Sequence, residues 1–166
     1  MTTRSPEDVV AEAVRRLGVA CERLECDPGF ADTGAFCERY GVAPEDCANA
    51  IVVTSKKEPR RPVLCVALAT TRLDVNHRLR ELVGARRLSF ASREETEQLT
   101  GMLVGGVAPF GLPDGIPVYV DATVLTRPLV IVGGGGRASK LRLDPNEILK
   151  APGATVVEGL ARPPEE

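Results

Sequence analysis

The 166-residue chain has no tryptophan, two tyrosines and four phenylalanines. Its core must therefore be aliphatic, and hydrophobic residues at 43% of the chain are enough to supply it. Histidine occurs once, at His77, and the five cysteines (Cys21, Cys26, Cys37, Cys47, Cys65) include no Cys-x-x-Cys pair. That leaves little for a zinc site, and the odd set reads as reduced thiols of a cytoplasmic protein. No apolar run approaches the length of a membrane span, and the N-terminus carries no secretory core. Bulk positive charge is missing too: 21 Lys and Arg against 23 Asp and Glu give a net charge of −2. This excludes a nucleic-acid binder that works through overall charge, but permits a local basic patch.

The common catalytic signatures are equally scarce. No Gly-x-Ser-x-Gly elbow is present, so a Ser–His–Asp hydrolase has no nucleophile. Gly133–Gly136 lacks the Lys-Ser/Thr that a phosphate-binding loop requires, and no Gly-x-Gly-x-x-Gly opens an early helix. His77, between Asn76 and Arg78, reads as a solvated helix residue. The carboxylates fall at caps and on polar faces, which gives no pair for acid–base work.

The most distinctive stretch present is Thr100-Gly101-Met102-Leu103-Val104-Gly105-Gly106-Val107-Ala108-Pro109-Phe110-Gly111. Glycine permits close approach and positive φ, and Pro109 stiffens the segment. The expected product is a semi-rigid loop that offers backbone N–H groups, although a packed connection with tight turns would need the same residues. A loop with convergent N–H groups can hold a carbonyl or stabilise an oxyanion.

The rest of the chain reads as one domain over 1–166, with a polar tail at 161–166 expected to be frayed. Ser5-Pro6-Glu7-Asp8 starts a helix that Gly18 stops. A strand follows near 20–26, then a helix over 33–40 capped by Asp32 and anchored by Phe36. Residues 51–54 and 63–69 form a hairpin around a charged connection, the second strand being central. Asp74 starts a helix closed by Gly84, and a strand spans 87–91. Ser92-Arg93-Glu94-Glu95 is a capping box for a helix to about Thr100. Further strands are expected at 118–122, 129–132, 141–143 and 155–157, with Asp144 starting a brief helix and Gly133–Gly136 a flexible connection. The pattern predicts a mixed α/β fold: a curved, largely antiparallel, barrel-like sheet with helices outside.

In this order the segments resemble the YbaK type of aminoacyl-tRNA deacylases, including the editing domain of bacterial prolyl-tRNA synthetases. The likeness rests on the Thr-Gly…Gly-Gly-x-x-Pro-x-Gly pattern from Thr100 to Gly111. It is supported by Ala48-Asn49-Ala50-Ile51-Val52-Val53, by Asp74–Gly84, by the Ser89 strand, and by the glycine run before Leu141-Arg142-Leu143. It implies a free-standing enzyme that hydrolyses the ester of a mischarged tRNA, such as alanine or cysteine on a proline tRNA. No metal or organic cofactor is implied. The resemblance assigns the catalytic loop to Gly105, Gly106, Val107, Ala108 and Pro109, with the terminal ribose hydroxyl and a water assisting. Substrate contacts are expected from Asn49, Gly101, Phe110, Arg137, Ser139 and Lys140. The partner implied is the aminoacyl-tRNA 3′ end, with a synthetase or an elongation factor as further candidates.

One departure stands out. Asn49 occupies the place of a family lysine that contacts the terminal nucleotide, and Asn brings no charge. Lys56, across a strand, should face the other way. Two readings therefore accompany deacylation: a catalytically weak RNA- or protein-binding module, and a small-molecule ester or amide hydrolase. Of the two basic clusters, Lys56-Lys57-Arg60-Arg61 reads as a solvated hairpin, and Arg137-Lys140-Arg142 is the better candidate for phosphate.

Overall fold

A computed structural model describes residues 4–164. Ser5 caps α1 (Pro6–Leu17) by accepting the Asp8 N–H, and Gly18 ends it in the left-handed region. β1 (Glu22–Glu25) and α2 (Thr33–Tyr40) follow, with Phe36 and Cys37 buried. The hairpin is present: β2 (Ala48–Ser55) pairs antiparallel with β3 (Val63–Leu68), all of whose residues are buried. After β4 (Arg72–Leu73), the helix that Asp74 starts opens as a π-turn over Val75–Leu79 before tightening into α3 (Arg80–Val83). β5 (Leu88–Phe90) leads to α4 (Arg93–Thr100), whose capping box between Ser92 and Glu95 is made in both directions. The remaining strands are β6 (Val118–Asp121), β7 (Val130–Gly133), β8 (Ser139–Leu143), β9 (Ala154–Val157) and β10 (Ala161–Arg162).

The strands form three sheets: β5-β2-β3-β6-β9, β1-β8-β7 and β10-β4. None closes on itself. The small sheets are antiparallel, but β3–β6 and β6–β9 are parallel, so half of the main sheet departs from the antiparallel expectation. Parallel neighbours need long crossovers, and local turn signals are silent about which distant strands will meet. The parallel half also explains why β3 is apolar without alternation: it is covered on both faces. Val10 and Ala13 of α1, Met102, Phe110 and one face of β2, β3 and β6 share the largest apolar cluster. At the other end of the chain, Ala161 and Arg162 are paired with Leu73 and Arg72 rather than frayed, while Glu165 and Glu166 lie outside the described residues.

The expected flexible connection at Gly133–Gly136 is instead tightly packed. A Cβ on Gly133 would meet the Gly106 carbonyl group at 2.5 Å, and one on Gly106 would lie 1.7 Å from the Gly136 oxygen. The glycine-rich loop that follows α4 thus leans on the second glycine run, backbone against backbone. Leu103 N–H donates to Gly135 O at 2.9 Å, and Gly135 N–H to Gly106 O at 2.6 Å. Composition suggested mobility here, but the absent side chains serve close approach. Gly106→Ala is expected to cost roughly 3 kcal/mol or more, at or above the usual overpacking range. Gly101→Ala should cost only about 1–2 kcal/mol, for its left-handed φ, because nothing lies within 4 Å of that Cβ position. Denaturant unfolding of the two variants measures the difference, and equal losses would remove the steric argument.

Candidate active site

Gly101 closes α4 with φ +72° and donates its N–H to Glu97 O. The next residues run along a cavity of about 440 Å³, which Val104, Gly105 and Val107 line on one side and β2 residues 48–52 on the other. The amides of the loop divide into two sets. Val104 N–H donates to Glu97 Oε2 at 3.1 Å, Gly106 N–H to Leu103 O at 2.9 Å, and Ala108 N–H to Met102 Sδ at 3.2 Å. The N–H groups of Gly105 and Val107 have no acceptor among the described residues. Val107 is buried and Gly105 half-buried, and amides shielded in this way without a partner are rare and call for a reason.

The reason lies in the carbonyls. Arg137 Nη1 donates to Val104 O at 2.8 Å, and Gly135 N–H to Gly106 O. In a trans peptide the C=O and the following N–H point in opposite directions. Holding Val104 O on Arg137 therefore turns the Gly105 N–H away from it, and holding Gly106 O on Gly135 does the same for Val107. The intervening Gly105 O accepts from Lys140 Nζ at 2.6 Å.

Both cations are themselves anchored. Arg137 also reaches Asp32 Oδ1 at 3.0 Å and Pro28 O at 3.1 Å. That hydrogen bond holds the Asp32 carboxyl below the ordinary carboxylate value. Lys140 rises from β8, is buried, and donates also to Ala31 O at 2.5 Å, with the Phe36 ring centroid 5.4 Å away. Desolvation lowers its pKa, because the buried ammonium has carbonyl acceptors and no carboxylate in direct contact. Cys47, also on the cavity wall, lies with its Sγ 3.6 Å from Cys37 Sγ. Burial first, and then that contact, push its pKa up to about 12, which favours the thiol over the thiolate.

A family model for the aminoacyl-tRNA editing domain matches residues 27–151. The chain belongs to that editing domain family. An uncharacterised Bacillus subtilis (strain 168) protein, YwhH, is 31% identical over 111 residues, covering 67% of this chain and 68% of the relative. A provisionally assigned Cys-tRNA(Pro)/Cys-tRNA(Cys) deacylase of Enterococcus faecalis, EbsC, is 26% identical over 112 residues, covering 68% and 66%. The crystal structure of a provisionally assigned trans-editing enzyme for prolyl tRNA synthetase superposes with a TM-score of 0.79 at 26% identity, covering 95% of this chain and 98% of that one. A second solved structure, of the hypothetical protein APE2540, gives 0.82 at 27% identity, covering 93% and 99%.

Within this editing domain, the residues expected at the site occupy three different places. Gly105, Val107, Asn49 and Lys140 line one cavity. Asn49 Oδ1 accepts the Thr33 hydroxyl at 2.6 Å. Gly106, Ala108, Pro109 and Phe110 are buried behind the loop, and Ser139 is buried against Gly134. Gly101 sits exposed at the end of α4. Arg137 works from behind as a clamp. The basic cluster Arg137-Lys140-Arg142 is split: Lys140 points inward, whereas Arg142 is paired with Glu22 at the surface.

Among the polar residues of the cavity, Asp32 and Thr33 from the start of α2 and Arg93 and Thr96 from α4 were not expected at the site. The first and last turns of helices read as caps, and only the docking of those helices turns them toward a common space. No helix among the described residues is long and apolar enough to cross a membrane.

The lowered pKa of Lys140 has a definite consequence. Below its ordinary value of 10.5, and down to its folded value, the unfolded chain holds more protons than the folded one. Stability contributed through this residue therefore rises with pH in that window. A neutral amine still has two N–H donors for Ala31 O and Gly105 O. The unfolding free energy of the native protein minus that of Lys140→Met should increase as pH is raised toward 10.5. A pH-independent difference in denaturant titrations would contradict the desolvated state of this side chain.

Proposed function

We propose that the chain is an aminoacyl-tRNA deacylase that hydrolyses the ester between a wrongly attached amino acid and a tRNA 3′ end. The observation that carries this reading is the pair of unpartnered N–H groups, Gly105 and Val107, on a cavity wall where the carbonyls of Val104, Gly105 and Gly106 are held by Arg137, Lys140 and Gly135. Membership of the editing family supports the reaction class. The names of two relatives, one for Cys-tRNA(Pro) and Cys-tRNA(Cys) and one for prolyl-tRNA synthetase editing, support a proline tRNA carrying cysteine, to which the family resemblance adds alanine. Ala48, Ala50, Val52, Ile131 and Val132 give the cavity small and aliphatic walls, which suit a small amino-acid side chain.

In this mechanism the ester carbonyl oxygen accepts from the loop amides. Water adds to the carbonyl carbon, oriented by the neighbouring ribose hydroxyl. The tetrahedral oxyanion stays on the same N–H groups as the C–O bond to the ribose breaks. The departing ribose oxygen takes up a proton, and the amino acid leaves as its carboxylate. No side chain must act as nucleophile. The enzyme's contribution is electrostatic preorganisation, with amides that do not reorient during the reaction. Lys140, on the cavity wall, and Arg137, outside it, are positioning residues that hold the loop carbonyls. Asn49 and Arg93 are placed to meet the terminal nucleotide from the cavity wall.

Asn49 favours a second reading, a domain that binds tRNA ends with little turnover, because it brings no charge where the resemblance implies a lysine. The two are separated by deacylation of a panel of mischarged tRNAs. Gly105→Ala places a Cβ 2.3 Å from Arg137 Nη1 at φ +94° and should displace the clamp. Its kcat/KM is expected to fall by about 10²-fold or more, the usual effect of losing an oxyanion donor. Activity that survives Gly105→Ala, or tight tRNA binding with no turnover on any member of the panel, would overturn deacylation.

A further inference from the structure

A second groove, of about 520 Å³, adjoins the cavity, and the proposed hydrolysis leaves it unused. Asn49 and Ile51 line both spaces, so the two adjoin at the first half of β2. β5 pairs with β2 at residues 53–55 and Ala91 N–H extends the contact to Val52 O, so residues 49–51 are not paired with β5, and β7 approaches that end through the Cys47–Ile131 bridge. The last residue of β5, Phe90, lines the new groove and is 56% exposed, the most of any large hydrophobic side chain among the described residues. An aromatic face left in water beside a cavity mouth is not explained by core packing.

The groove also carries an unusual charge arrangement. Arg72 of β4 and Arg162 of β10 stand directly opposite each other in the two-stranded ribbon. Like charges at one cross-strand position repel. Asp74 takes Arg162 in a close ion pair, and Arg72 has no carboxylate partner among the described residues. Exposed Asn76 adds an amide that can donate and accept. An exposed ring, an uncompensated guanidinium and an amide along one groove make the combination that binds unstacked single-stranded nucleic acid: a platform for the base and a cation for the phosphate.

We propose that this groove receives the nucleotide that precedes the esterified one at the tRNA 3′ end, with its base on Phe90 and its phosphate at Arg72 and Arg162. The inference rests on the deacylase reading, since it is the ester in the first cavity that brings the strand across residues 49–51. It supplies, from the opposite side of Asn49, a positive charge that Asn49 itself lacks. Stacking is indifferent to base identity, so the groove adds affinity for the common end of all tRNAs and leaves the choice of amino acid to the cavity.

The test uses a labelled single-stranded RNA ending in CCA, titrated with the full chain by fluorescence anisotropy at several salt concentrations. Phe90→Ala is expected to weaken binding by about 5- to 100-fold, with Phe90→Tyr near the native value. Arg72→Gln should weaken binding and reduce the slope of log K against log salt by about 0.7. Both side chains are exposed, so thermal unfolding should be unchanged in either variant. No binding of the RNA, or binding insensitive to both substitutions, would overturn the proposal and leave the ring as a contact for a protein. The outcomes separate from those of the deacylation assay. Turnover with RNA binding indifferent to Phe90 sinks the groove alone, and Phe90-dependent binding without turnover sinks the deacylase reading while the groove stands as an RNA-end site.

Discussion

Gly106 and Gly136 approach so closely that a single added carbon on the first would overlap the carbonyl of the second. The candidate site depends on that contact. Two backbone segments far apart in sequence are brought together with no side chain between them, and peptide groups bond across the gap. Once Gly106 O is held by Gly135 and Val104 O by Arg137, the amides that follow them must face the other way. Backbone N–H groups of this kind survive every side-chain substitution except proline. They are made available by whatever fixes the carbonyls on the same peptide planes.

The cations fit this picture as structural tension members more than as ligands for substrate. Lys140 spends its contacts on two main-chain carbonyls, one from the loop and one from the turn before α2, so it joins the two walls of the cavity. Arg137 joins the same two walls through Val104, Asp32 and Pro28. The burial of Lys140 is offset by hydrogen bonds to carbonyl dipoles without a carboxylate in contact, whereas half-buried Arg137 is paired with Asp32, so the uncompensated positive field beside the loop comes from Lys140. Such a field favours negative charge in the cavity that Lys140 lines.

Much of the local structure was legible because it is written in short-range chemistry. Ser5, Ser92 and Asp144 cap the helical segments expected of them, and Gly18, Gly41 and Gly84 end theirs in the left-handed region. The hairpin of β2 and β3 follows from two β-branched runs around a charged turn. The loop at 101–111 announced itself by composition, and its order among the other segments carried the family resemblance. Asp32 shows the limit of such reading. It sits at the N-cap position of α2 but makes no side-chain cap bond, because Arg137, more than a hundred residues away, claims its carboxylate.

The sequence by itself determined the element types, the aliphatic core and the presence of a backbone-presenting loop, because capping, turn chemistry and apolar periodicity act over a few residues. Only the tertiary structure decided that half of the main sheet is parallel, that Gly133–Gly136 is a packed brace, and that Gly105 and Val107 rather than Gly106 and Ala108 keep free amides. Each of these depends on which distant segments touch. Long-range pairing is set by the fit of whole surfaces, and no local pattern records it.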